Sequence, residues 1–333
     1  MKIFWREPNN KSVSSLCKAN EKGTENITTV SFSPFNSLDK SHFFEGVLES
    51  VSIDSFTSET DNADLFLSNG GIKEYTKFLN SAINECKTGN LNKVIASRVV
   101  SLKGELNCNQ LFVQLLKAYP SCFVYLFEID DKIYIGATPE LLLSRYDRAV
   151  KSVALAGTMK QEEGRDVNSW KNKELHEHQL VEDYLKLNFK KYCEYVSVSD
   201  KSIVKNGPVC HLHSKVSGTL KSSSLLLDLK NDIHPTPAVC GLPKKKAFDY
   251  IMQNEGYNRG YYCGNIGISN TKSESYYVNL RCLSYKNGVT NIYVGGGITS
   301  ESDAFKELEE TKLKSKVLLS IIAKIHKIKS VDE

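Results

Sequence analysis

The chain of 333 residues contains nine cysteines but no C-x-x-C pair. An odd number without paired spacing excludes a disulfide framework and points to reduced, mostly buried thiols in a cytosol. "CHLH" at 210–213 has the form of half a zinc site, but no second pair of ligands accompanies it. A strong charge of either sign is missing too. The formal net charge is +4 and the lysines are spread out, which excludes a basic-patch nucleic-acid binder. The N-terminal "MKIFWREPNN" has no apolar core of the secretory-signal kind. No run reaches the roughly 18 apolar residues of a membrane span. The richest late segment, "VLLSIIAKIHKI", is broken by serine and lysine and reads as an amphipathic terminal helix. Low-complexity tracts, proline-rich linkers and short repeats are absent as well. With 41% hydrophobic residues the chain can bury a sizeable core, and large units of this length often form one domain.

What is present is an alternation of strand pairs and helices. Residues 1–70 carry the weakest pattern. "SNGGIKEYTKFLNSAINECKTGN" reads as a helix after a glycine turn, and "KVIASRVVSLKG" as a strand with Val94, Ala96 and Arg98 on one face and Lys93, Ile95 and Ser97 on the other. "NCNQLFVQLLKAYP" is helical. "CFVYLFEIDDKIYIGATPELLLSR" predicts a hairpin with an Asp-Asp turn, followed by a short helix with Thr138 as N-cap and Pro139 in its first turn. Strand, long helix and strands follow to about residue 220, then the loop "HPTPAVCGLP", the helix "KKKAFDYIMQNE", and three strands in "GYYCGNIGIS", "SYYVNLRCLSYKNG" and "VTNIYVGGGI". Strands paired this way, with helices between the pairs, predict an α+β fold of large, mainly antiparallel sheets rather than a strict βαβ alternation.

The chemistry concentrates on two helices. Glu174 and Glu177 stand one turn apart on one, Glu307, Glu310 and Lys314 share a face of the other. Carboxylates are hard ligands suited to Mg²⁺, although each pair alone equally describes a solvated acidic face. The glycines of "YVGGGI" are read as a loop whose free N–H groups suit an anionic oxygen, with "ALAGT" at 154–158 as a second small-residue turn; tight packing is the plainer alternative for both. Lys93 opens an apolar strand, and a lysine at the edge of a buried site can serve as a general base. Glu140, placed in a first helical turn, either complements the helix dipole or, if buried, stays protonated and serves as an acid. Arg281, inside "VNLRCL", needs an anionic partner from the protein or from a ligand. His211 is read as a satisfied core histidine rather than a catalyst.

The motifs "KVIASR", "GATPELLL", "ALAGT", "HEHQLV", "HLHSKVSG", "HPTPAVCGLP", "RGYYCGNIG", "VNLRC", "GGGI" and "EETKLKSK" occur in one order over residues 70–325. In this the chain resembles the chorismate-utilising enzymes, which include isochorismate, salicylate, anthranilate and aminodeoxychorismate synthases. The resemblance implies a single large α+β domain of two packed, mainly antiparallel sheets with helices outside. Residues 1–70 would form a shortened N-terminal part of it and residues 71–328 the chorismate-binding catalytic region. It implies Lys93 as the base that activates water toward ring carbon C2 and Glu140 as the acid that protonates the departing C4 hydroxyl. Glu177 and Glu310 match direct Mg²⁺ ligands, with Glu174 and Glu307 acting through water. Gly157, Thr158 and Lys314 match groups at the ring carboxylate. Arg281, Tyr261 and Gly295 match groups at the enolpyruvyl carboxylate, with His211 and Ala238 lining the cavity.

Within the family, ammonia-using members typically lack a lysine at the position of Lys93 and read "PIAGT" or "PIKGT" where this chain reads "ALAGT". Salicylate synthases commonly carry threonine at the position of Ala238. The resemblance therefore implies a cytoplasmic, Mg²⁺-dependent isochorismate synthase. It would act as a monomer without a glutaminase partner and feed menaquinone or siderophore synthesis. A salicylate synthase, an ammonia-using subunit and a catalytically silent, ligand-binding homologue are the alternatives.

Overall fold

Strand alternation in this sequence is strong enough to set the register of most of the molecule. The computed structural model describes residues 2–17, 26–56, 63–68, 70–160, 166–206 and 209–330. Its strands fall into two half-sheets. One runs, neighbour to neighbour, through Ile328–Ser330, Leu65–Ser68, Lys93–Lys103, Val289–Ile298, Cys282–Lys286, Lys132–Thr138, Phe123–Ile129 and Lys2–Arg6. The other runs through His42–Val51, Ile27–Ser33, Asn265–Ser269, Ser273–Val278, Leu141–Tyr146, Ala149–Lys160 and Val209–Leu220, whose far edge carries Cys193–Val198 and Ser202–Asn206. All these pairs are antiparallel except the one between Ile328–Ser330 and Leu65–Ser68. The two halves are not separate sheets. Val13–Cys17 pairs with Lys2–Arg6 on one side and with His42–Val51 on the other, so hydrogen bonds run from one half into the next.

The halves pack face to face through aromatic side chains. Fully buried Phe32, from the second half, lies 6.0 Å from Tyr125, 5.6 Å from Phe127 and 5.3 Å from Tyr134, all from the first. Burying a side chain of this size contributes roughly 1.5–3 kcal/mol, so this layer is a main source of cohesion between the halves. Six α-helices occur among the described residues: α1 (Ile72–Lys87), α2 (Cys108–Ala118), α3 (Asn172–Tyr192), α4 (Leu226–Ile233), α5 (Lys244–Asn254) and α6 (Ala304–Ile322). α1, α2 and α6 cover the first half, α3 covers the second, and α5 lies by the start of Lys93–Lys103. α1 buries Tyr75, Phe78, Leu79, Ala82, Ile83 and Cys86, the stripe expected of an amphipathic helix. α6 starts where Asp303 accepts a hydrogen bond from the Lys306 amide, a side-chain cap for an otherwise orphan donor.

Three local expectations are corrected. No helix follows Thr138. Its hydroxyl donates to the Val278 carbonyl at 2.6 Å instead of capping a helix, and the Val278 amide donates to the Glu140 carbonyl. Leu141–Tyr146 is then a strand, because a sheet buries Leu142 and Leu143 together where one turn of helix would expose a leucine. The three glycines are not a loop either. Gly295, Gly296 and Gly297 continue Val289–Ile298 and pair with Ser97, Ala96 and Ile95. Finally, "SYYVNLRCLSYKNG" is two strands, Ser273–Val278 and Cys282–Lys286, which belong to different halves. Arg281 sits in the break with φ 48°, in the left-handed region uncommon for a residue with a Cβ. The Asp-Asp hairpin turn is present, with positive φ at both Asp130 and Asp131, as a two-residue turn of matching twist requires.

Candidate active site

One cavity gathers most of the chemically marked residues. Lys93, Glu140, Gly157, Glu177, His211, Ala238, Arg281, Gly295, Glu310 and Lys314 all line it. It opens where the start of Lys93–Lys103, the Gly295–Gly297 edge, the Gly157 bulge and the break at Arg281 converge.

Lys93 is buried, and its Nζ lies 3.7 Å from a carboxylate oxygen of Glu177 on α3. Glycine makes room for it. A Cβ on Gly297 would stand 2.9 Å from Lys93 Cε, and one on Gly241 would stand 2.2 Å from the Lys93 carbonyl oxygen. Gly241 and Leu242 pair with Val94 and Lys93, so the proline loop after α4 forms the outer edge here. Arg259, fully buried, donates to the Ile95 carbonyl at 2.7 Å, to the Val239 carbonyl at 2.8 Å and to Glu255. Glu255 in turn accepts from the Ser97 amide and hydroxyl. Arg259 and Glu255 therefore tie the strand of Lys93 to the loop of Ala238. The four-residue spacing of this pair is visible in the sequence, but its burial is not.

Glu140 is buried in the wall of the same cavity, and burial pushes its pKa up to about 7 against the weaker opposing pull of Lys93 and Arg281. A carboxyl group so placed keeps a substantial protonated fraction, about half, at neutral pH and can donate a proton. His211 Nδ1 lies 3.2 Å from the Gly157 carbonyl, which only accepts, so that nitrogen carries the hydrogen. Burial, with Arg281 and Lys314 nearby, lowers the imidazole to about 4, which keeps it neutral. Its Nε2 faces the Arg281 guanidinium at 3.5 Å.

The glycine strand has one free edge beside the cavity. Lys314 donates to the Gly295 carbonyl at 3.0 Å, so this carbonyl points away from the Lys93–Lys103 strand. In a strand the N–H of a residue points the same way as its C=O. Cys282–Lys286 covers Val289–Ile298 only as far as Ile292, so among the described residues no strand covers the Gly295 amide, which can meet an anionic oxygen. The donor group expected of a loop is thus supplied by an uncovered strand end.

The four glutamates occupy two helices that reach the same space. Glu177 and Glu310 line the cavity, and Glu310 also meets Lys314 at 2.8 Å. Gly296 faces α6. A Cβ there would lie 3.5 Å from Glu307 Oε2 and 3.7 Å from Glu310 Oε1. Glu307 is buried and accepts from the Ser302 hydroxyl at 2.8 Å. Glu174 packs its backbone against Gly157, whose φ is 74°. One of its carboxylate oxygens is buried with no hydrogen-bond partner among the described residues. No three His, Cys, Asp or Glu side chains among the described residues form a ready cage for a metal. Mg²⁺ asks for less than a cage: usually one or two carboxylates, with waters and ligand oxygens filling the octahedron. All-oxygen donors, one still lacking a partner, fit that ion.

Two sequence-derived assignments fare differently. The Tyr261 ring is turned away, stacked on Phe32 at 4.1 Å with its hydroxyl toward the Lys40 carbonyl, while the next residue, Tyr262, faces the cavity. Adjacent residues in this turn point in opposite directions, so the tyrosine of this turn that lines the cavity is Tyr262. The side chain of Thr158 lies outside the described residues; its backbone pairs with His211. Cys263 and Tyr293 also line the cavity and were not singled out by the sequence.

Comparisons with known proteins give the chain a family. The family model described as chorismate binding enzyme matches residues 21–323. The isochorismate synthase MenF of Bacillus subtilis (strain 168) is 29% identical over 262 residues, 75% of this chain and 55% of its own length. The anthranilate synthase component 1 of Saccharomyces cerevisiae is 30% identical over 259 residues, 74% of this chain and 51% of its own. The chain thus spans about half the length of these two relatives. A crystal structure from Bacillus anthracis, of a candidate 2,3-dihydroxybenzoate-specific isochorismate synthase named DhbC, superposes with a TM-score of 0.85 at 25% identity, over 96% of this chain and 95% of that one. No helix among the described residues is long and apolar enough to cross a membrane. With a family model covering residues 21–323, the chain belongs to the chorismate-binding enzyme family.

Proposed function

We propose that the chain is an isochorismate synthase that moves the hydroxyl of chorismate from C4 to C2. The observation that carries this reading is the pairing, across one cavity, of buried Lys93 with buried Glu140, whose carboxyl is held at about 7. Lys93, in its neutral amine form, takes a proton from a water as the water oxygen attacks C2. The ring double bond shifts, and Glu140 gives its proton to the hydroxyl leaving C4. One water enters and one leaves, so the product is an isomer of the substrate. General acid–base groups of this kind contribute typically 10²–10⁴-fold each.

Both carboxylates of the substrate need a counter-charge. Arg281, with the Gly295 amide and Tyr262 beside it, is the receiver for the enolpyruvyl carboxylate. His211, neutral and held by the Gly157 carbonyl, keeps the guanidinium turned into the cavity. Mg²⁺, held by Glu177 and Glu310 with Glu174 and Glu307 behind them, would supply positive charge for the ring carboxylate. Gly157 and Lys314 adjoin that end. Ala238, small, leaves the enolpyruvyl group room in more than one orientation, which favours release of isochorismate over elimination of pyruvate. The reaction needs no ammonia and hence no glutaminase partner, and its product would serve menaquinone or siderophore synthesis.

The test is to supply chorismate and Mg²⁺ to the purified protein and resolve the products. A chorismate–isochorismate mixture is expected. Pyruvate released in step with chorismate consumption would make the chain a salicylate synthase, and consumption only with added ammonia would place it among the aminating members.

A further inference from the structure

Two cavity residues other than glycine hold left-handed backbone conformations, Cys263 at φ 61° and Arg281 at φ 48°. Such conformations cost of order 1–3 kcal/mol each and persist only where neighbours over-determine them. One residue holds the Cys263 turn by hydrogen bonds and stands two positions before Arg281. Asn279 is 1% exposed, and all its polar groups are used. Its amide donates to the Gly264 carbonyl at 2.9 Å, and its own carbonyl accepts from the Cys263 amide at 2.9 Å. Its side-chain Nδ2 donates to the Tyr261 carbonyl at 2.9 Å, and Oδ1 accepts from the Tyr125 hydroxyl at 2.6 Å. The amide orientation is fixed by its partners, because the Tyr261 carbonyl can only accept.

We propose that Asn279 is the positioning residue for the carboxylate-receiving end of the cavity. Resting on the reading that Arg281 receives a substrate carboxylate, it locks the 261–264 turn, with Tyr262 and Cys263, back to back against the break that presents Arg281. Tyr125, from the strand Phe123–Ile129, anchors the lock to the aromatic core. Asn279 touches neither substrate nor metal glutamates in this arrangement. Its loss should therefore weaken substrate binding without altering the proton transfers.

The experiment measures chorismate affinity by calorimetry, and kcat and KM separately, for wild type, Asn279→Ala, Tyr125→Phe and the double variant. All are compared at a temperature where their circular-dichroism spectra match wild type. Because the turn it holds carries cavity residues, Asn279→Ala is expected to raise Kd and KM about tenfold, with kcat and the Mg²⁺ requirement little changed. Tyr125→Phe keeps its ring in the core and is expected to shift Kd the same way by less. In the double variant Tyr125→Phe should add nothing further, because the pair acts as one unit. An unchanged Kd in both single variants, even with a lower Tm, would overturn the proposal, as would losses that simply add. Product analysis of wild type judges the reaction separately. A chain that binds chorismate but yields another product would refute isochorismate formation, while the Kd ratios still decide the role of Asn279.

Discussion

Lys93 Nζ stands 3.7 Å from the carboxylate of Glu177, with side-chain exposures of 3% and 16%. The general base of the proposed reaction and a proposed metal ligand are thus neighbours in a nearly closed space. Breaking a buried pair by removing one partner is costly, because the other charge is left uncompensated. Lys93→Ala, with Glu177 still facing solvent in part, is expected to keep a wild-type circular-dichroism spectrum while losing 10²–10⁴-fold in kcat, the range for general acid–base groups. Retention of most of the activity would remove Lys93 from the chemistry.

The metal assignment predicts loss of turnover in excess EDTA and its return with Mg²⁺. Among the glutamates, Glu177→Gln and Glu310→Gln are expected to weaken Mg²⁺-supported chorismate binding more than Glu174→Gln or Glu307→Gln, since the first pair lines the cavity. Full activity in the chelator would refute it.

Glu140 sets a pH limit. Its pKa lies near 7 in the folded chain, above its ordinary value of 4.5, so the native state binds the proton more tightly than the unfolded state. Stability from this group is full below about 4.5 and declines as pH rises through 7. Catalysis that needs the protonated form should fall on the same limb, so kcat/KM is expected to drop above about 7. Glu140→Gln should abolish the reaction and flatten this part of the stability profile, as followed by Tm against pH. A Tm profile identical to wild type would show that Glu140 does not titrate as placed.

Much of this site was readable because helical spacing and strand alternation are local. Glu177, Glu310 and Lys314 could be set on helix faces, and Lys93 on a strand, from residue order alone. Arg281 was misplaced because Tyr276, Tyr277 and Val278 and then Leu283 and Tyr285 read as one strand; a left-handed residue that is not glycine leaves no signature. Glu140 was misplaced because Thr138 and Pro139 mimic a helix start, while the partner that overrides them, Val278, is distant in sequence. The slip from Tyr262 to Tyr261 has the same origin. Which of two adjacent tyrosines faces the cavity depends on Asn279 and Phe32, not on local order.

Product choice should respond to Ala238. Threonine at this position would crowd the wall of the cavity and restrict the enolpyruvyl group, favouring the conformer in which the C2 hydrogen transfers and pyruvate leaves. A difference of about 1.4 kcal/mol between the two barriers changes their ratio tenfold, so Ala238→Thr is expected to raise the salicylate fraction measurably by chromatography. An unchanged ratio would show that this wall does not control the conformer.

The central claim is that a solvent water becomes the C2 hydroxyl while the C4 hydroxyl departs. Turnover of chorismate in ¹⁸O-labelled water, followed by mass spectrometry of the isochorismate formed in the first few per cent of reaction, tests it directly. One labelled oxygen at C2 is the predicted result, and it should vanish with activity in Lys93→Ala. Isochorismate formed without label would mean that the original hydroxyl migrates within the substrate, which contradicts water activation by Lys93.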